Sequence, residues 1–102
     1  MSNIVHDGSQ LILSYVAQYE LSPAQCRAAR ALLGWSQSDL EIRAKVARKT
    51  LADFESGKRR PYERTLRDIR EAFEAAGISF VGDGEVSEGG GAGVRLPQIL
   101  ID

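Results

Sequence analysis

Two serines, Ser22 and Ser36, constrain this chain more than any other feature, because each marks where a helix begins and Gly34 between them marks where the first one ends. In Ser22-Pro23-Ala24-Gln25 the serine can cap, the proline suits the first helical position, and the glutamine can close a capping box. An alanine-rich helix over residues 23–33 follows. Ser36-Gln37-Ser38-Asp39 repeats the signal with an acid three positions on, predicting a short second helix that ends near Ala44. Leu40, with Ile42 or Arg43, should face its neighbours. A third helix fits 48–55, burying Leu51 and Phe54 at an i, i+3 spacing, and Ser56-Gly57 ends it. Pro61 then redirects the chain. A fourth helix over 63–76 carries Leu66, Ile69, Ala72, Phe73 and Ala76 on one face, with Gly77 beyond its end. Helices this short do not hold in water alone, so they must pack together.

The flanks read differently. Residues 1–9 are polar and unpatterned, and Leu11, Ile12, Tyr15, Val16 and Tyr19 fall at helical spacing, although the β-branched residues leave a strand open. After Gly77, Ile78-Ser79-Phe80-Val81 and Val94-Arg95-Leu96 alternate like strands around a glycine-rich loop bearing Asp83, Glu85 and Glu88. A two-stranded element is marginal alone and should pack on the helices or on a second subunit. The expected class is mainly α, four to five helices with a C-terminal two-stranded β element. The expected division is an arm and possible dimerisation helix over 1–21, a helical domain over 22–77, and a tail over 78–102 that also serves dimerisation. At 102 residues there is chain for one modest core.

Charge supplies the functional asymmetry. The formal net charge is -1. Residues 43–70 nevertheless hold ten basic side chains against four acidic ones, while the remainder holds three against ten. A cationic segment of this kind points to a polyanion. Other chemistry has little material. His6 and Cys26 are the only residues of their types, so neither an internal disulfide nor a His/Cys metal set is expected. Cys26 reads as a packing residue or, less readily, a redox-sensing thiol. The run Gly89-Gly90-Gly91-Ala92-Gly93 lacks the Lys-Ser or Lys-Thr and the helix of a phosphate loop. The acids at 83, 85 and 88 match no Ca²⁺ loop. Trp35 and the tyrosines read as core or interface residues. No run approaches a membrane span and the N-terminus is not a secretory signal. A reducing, cytoplasmic setting is expected, with no cofactor, no metal and no catalytic residues.

The segment from Arg27 to Pro61 resembles the helix-turn-helix of the Cro/lambda-repressor-like (XRE) family of bacterial and phage transcription regulators. The resemblance rests on Arg30, Trp35-Ser36-Gln37, Leu40, Ala44, Val46, Thr50-Leu51, Phe54-Glu55, Gly57 and Lys58-Arg59-Arg60-Pro61. It implies a lambda-repressor-like DNA-binding domain and a nucleoid-associated regulator that acts as a homodimer on a two-fold duplex operator, most simply a repressor or autoregulator. The third helix would enter the major groove, with Arg48, Lys49 and Thr50 reading base edges. Asp53 would either accept from cytosine or pair with Lys49 one turn earlier. Ser36 and Gln37, at the start of the second helix, would hold a phosphate, as would Lys58, Arg59 and Arg60. Gln37 also has a plainer reading as an ordinary first-turn residue. The resemblance further implies a structural ion pair between Arg30 and Glu55.

Three positions depart from the family pattern. Glu41 replaces a small residue between the two helices. Lys45 replaces the turn glycine, so it must take a left-handed conformation or shift the turn. Ala47 replaces a Ser or Thr cap. The competing expectation is a protein-interaction module of antitoxin or anti-activator type, in which DNA binding is secondary.

Overall fold

The computed structural model describes residues 21–95 and 97. Both serine caps form complete capping boxes. Gln25 N–H donates to Ser22 Oγ and Ser22 N–H to Gln25 Oε1, each at 3.0 Å, opening α1 over Pro23–Leu33. Asp39 N–H donates to Ser36 Oγ at 3.0 Å and Ser36 N–H to Asp39 Oδ2 at 2.9 Å, opening α2 over Gln37–Ala44. Helix α3 spans Arg48–Glu55 and α4 spans Glu63–Ala75.

Three of the four helices among the described residues end alike. Gly34, Gly57 and Gly77 have φ of 70°, 81° and 100°. The following residue in each case donates back five positions: Trp35 to Arg30 O, Lys58 to Asp53 O and Ile78 to Phe73 O. This is the Schellman closure, which needs a left-handed residue and so selects glycine. Helix α2 uses the simpler left-handed cap, with Lys45 N–H on Glu41 O at 2.9 Å and Lys45 at φ 59°. A side chain therefore occupies a backbone region that costs about 1–2 kcal/mol without glycine.

The core is built by one stripe from each helix. Leu21, Cys26 and Ala29 meet Leu40 and Ala44, then Val46 from the turn, Leu51 and Phe54 from α3, and Leu66, Ile69 and Phe73 from α4. Helix α2 packs on both α3 and α4, and α1 packs on α3. Burying the larger of these side chains contributes about 1.5–3 kcal/mol each. Trp35 stacks on Phe73 at 5.6 Å between centroids, and Phe80 meets the same ring edge-on at 5.9 Å. Arg43 covers Trp35 and Arg70 covers Phe80, with guanidinium carbons 4.6 Å and 5.0 Å from the rings. Of the two candidates on α2, Arg43 is thus the one with a neighbour, while Ile42 is 74% exposed. A methylene stem and planar cation can cover a ring and remain wet, which an isoleucine cannot match.

The described chain divides after Phe80. Leu21–Phe80 forms one unit, because Leu21 is fully buried and Ile78 and Phe80 pack on its core. That unit is wider at both ends than the 22–77 expected from caps and glycines. Among the described residues none lies in a strand, so the two-stranded element expected over 78–81 and 94–96 does not form there; Leu96 itself lies outside the described residues. The physical reason is competition. Ile78 and Phe80 are taken up by the helical core. In the loop, Arg95 donates to Glu85 O at 2.8 Å and to Gly82 O at 3.1 Å, and Gly82 and Glu85 close a turn on each other. The helix or strand expected over 11–19, and the 1–21 arm up to Glu20, lie outside the described residues.

Candidate nucleic-acid interface

Helices α2 and α3 meet through the turn Lys45-Val46-Ala47, whose middle residue is 8% exposed and anchors the corner in the core. Helix α3 starts from Ala47 with no side-chain cap. Its first-turn N–H groups are left open, and its first three side chains, Arg48, Lys49 and Thr50, are exposed or half-buried. Arg48 Nη1 donates to Ser38 Oγ at 2.8 Å, across the corner to α2. Lys49 Nζ lies 3.2 Å from Asp53 Oδ2, with the lysine 80% exposed and the aspartate 19%. Of the two roles open to Asp53, the i, i+4 pair is the one present in the free chain.

Behind α3 lies a buried hub that sequence spacing only half discloses. Glu55 is 3% exposed. Its carboxylate accepts from Arg30 Nε and Nη2, both at 2.7 Å, in a two-point fork. It also accepts from Gln37 Nε2 at 3.0 Å and from the Cys26 thiol at 3.1 Å. Arg30 Nη1 donates to Trp35 O at 3.0 Å, and Arg27 donates to the Glu55 carbonyl. Burial alone would raise the Glu55 pKa, but donation from Arg30, Gln37 and Cys26 and the arginine charge outweigh it and hold the carboxyl below its usual range. The same burial, with the Glu55 hydrogen bond, pushes the Cys26 thiol far up. A fully buried thiol that donates to a carboxylate is not a reactive thiolate, which corrects the redox-sensing alternative.

The remaining sequence-derived positions fall as follows. Gln37 is half-buried and donates one of its two amide N–H groups to Glu55. Ser36 is exposed, and its oxygen caps α2. Asp39 at the same terminus is held below the usual carboxylate range by the Ser36 N–H and hydroxyl. Lys58, Arg59 and Arg60 are exposed, and the Schellman closure at Gly57 fixes the backbone that carries them. A groove joins the two sets: it is lined by Lys49, Thr50 and Asp53 of α3 and by Arg59, Arg60 and Tyr62 of the following loop. Tyr62 is 84% exposed, so of the core and interface readings given for the tyrosines, the core one does not hold for it.

Sequence reasoning missed Cys26 as a partner of Glu55, Gln37 as a member of that hub, and Ser38 as the support of Arg48. The hub partners are 29 and 18 positions away from Glu55. No local pattern connects such positions; only the packing of α1 and α2 on α3 does. Among the described residues there is no group of three or more His, Cys, Asp or Glu side chains that could hold a metal ion, and no helix there is long and apolar enough to cross a membrane. A family model described as Helix-turn-helix matches residues 27–79. No curated protein is similar enough to the chain to match it.

Proposed function

The chain belongs to the helix-turn-helix family, of the Cro/lambda-repressor-like (XRE) kind, and from that premise we propose that it is a sequence-specific regulator of transcription, binding duplex DNA as a dimer and acting as a repressor or autoregulator. The observation that carries the proposal is the groove in which Lys49 and Thr50 of α3 meet Arg59 and Arg60. Base-edge donors and phosphate-binding cations converge there, which is the pairing of contacts that a major-groove helix requires.

Roles follow from chemistry. Arg48 and Lys49 donate to guanine O6 and N7, and Thr50 offers its methyl to thymine or its hydroxyl to a phosphate. Asp53 restrains Lys49 in the free chain and stands next to the bases once α3 is docked. Gln37 uses its second N–H, with Ser36 and the open end of α2, on a phosphate. Lys58, Arg59 and Arg60 clamp the backbone and set register without reading sequence. Arg30 and Glu55 hold α1 against α3 and keep Gln37 aimed.

One eight-residue reading helix makes few base contacts, so two copies on half-sites about one helical turn (~34 Å) apart supply the specificity. The decisive test is footprinting on the DNA upstream of the protein's own gene, with wild type and Arg48→Ala/Lys49→Ala. Protection of two such half-sites, lost in the double variant, is the expected result. Protection that survives the double variant refutes the reading helix and favours a protein-interaction module.

A further inference from the structure

We propose that Tyr62 is a DNA-backbone contact, its ring covering a deoxyribose and its hydroxyl donating to a phosphate of the strand that lies in the groove between α3 and the basic loop. This rests on the reading of the chain as a duplex-binding protein and assigns a new residue to that interface.

Three observations converge. First, the ring is 84% exposed, whereas Trp35, Phe73 and Phe80 of the same unit pack on one another. Second, the backbone beneath it is fixed: Pro61 precedes it, Tyr62 is the N-cap residue of α4 at φ -62° and ψ 155°, and its carbonyl accepts from Leu66 N–H at 3.0 Å. Only two side-chain torsions remain free, so ordering the ring against a partner forfeits little entropy. Third, it lines the same groove as Lys49, Thr50, Arg59 and Arg60. A strand held by those two arginines is brought within reach of the ring.

Backbone contact is the chemistry that fits this place. The bases of an intact duplex are stacked inside it, so an aromatic at the rim meets sugar and phosphate rather than a base face. Tyrosine is among the side chains that donate to phosphate oxygens, and such contacts position a protein without reading sequence. The phenol is an uncharged donor, and this separates it from its neighbours. Binding through it displaces no condensed counterion, whereas each phosphate-neutralising Lys or Arg contributes about 0.9 to the slope of log affinity against log salt.

The test uses the full chain and fluorescence anisotropy over a salt series, on two probes: a duplex selected by the wild-type chain from a random pool, and a mixed-sequence duplex. Tyr62→Phe should weaken binding about 3- to 10-fold, the loss of one hydroxyl donor, and Tyr62→Ala should weaken it further. Both losses should be equal on the two probes, with the salt slope and melting temperature of wild type. Arg59→Gln should instead lower the slope by about 0.9. Wild-type affinity in Tyr62→Ala, a loss confined to the selected duplex, or a changed slope overturns the assignment. If Arg48→Ala/Lys49→Ala loses the selected duplex while the Tyr62 variants bind normally, Tyr62 alone is refuted. If the wild-type chain binds neither duplex, this assignment and the functional reading fall together.

Discussion

Replacing Glu55 by alanine is the sharpest test of how the helix-turn-helix is held. The side chain is 3% exposed and accepts four hydrogen bonds, two of them from Arg30 at 2.7 Å and one each from Gln37 and Cys26. Removing it strands four donor atoms on three residues. Hydrogen bonds to a charged group contribute about 1.5–3 kcal/mol each. Breaking a buried ion pair by deleting one partner costs about 3–5 kcal/mol. Arg30 is 21% exposed and keeps its bond to Trp35 O, so water relieves part of its loss and the lower half of that range applies, about 3–4 kcal/mol. For a domain of this size each kcal/mol moves Tm by about 4–8 °C, which puts the drop at about 12–30 °C. Thermal unfolding followed by circular dichroism measures it. Adding Arg30→Met removes the stranded cation and should recover about 1–2 kcal/mol, a coupling between contacting residues. A Glu55→Ala chain that melts within a few degrees of wild type would refute the hub as the element joining α1 to α3.

The remaining predictions concern pH, the turn, the cap and the domain edge. Because the folded-state pKa of Glu55 lies below its ordinary value of 4.5, its stabilisation is complete above that value and is lost as pH falls through the depressed one; Glu55→Gln should flatten the acid limb of a Tm-against-pH curve and leave its neutral limb parallel to wild type. Lys45→Gly relieves the left-handed strain at φ 59°, less the entropy that glycine adds to the unfolded chain, and should raise stability by about 0.5–1 kcal/mol; an unchanged or lower urea midpoint counts against it. Ala47→Ser supplies the absent side-chain cap of α3 and should add about 1 kcal/mol in the same assay. A chain ending at Phe80 should melt about 10 °C above one ending at Gly77, because only the first keeps Ile78 and the Phe80 ring against Phe73; equal melting of the two would show that these residues add nothing to the core.

Sedimentation of the chain ending at Phe80 also bears on the proposed dimer. A monomer with weakened operator binding places the interface in the tail, whereas a dimer places it elsewhere in the chain.

What the sequence determined by itself is everything that closes within about five residues. Ser22, Ser36, Gly34, Gly57 and Gly77 set the helix limits because a cap or a Schellman closure is made by neighbours in the chain, whereas for Lys45 the sequence left a left-handed residue and a shifted turn both open, and the structure shows the first. The cationic stretch that carries Arg48, Lys49 and Lys58 to Arg60 was legible too, since charge needs no fold to be counted. Tertiary structure decided the rest. It gathered Cys26, Arg30 and Gln37 onto one carboxylate, turned Arg43 onto Trp35 and left Ile42 outside, and set Tyr62 in a groove with Lys49. It also drew Ile78 and Phe80 into the helical core, where alternation alone had suggested a strand. Alternation records which side chains seek burial, but the surface that buries them is made by residues distant in sequence, and here that surface is a helix.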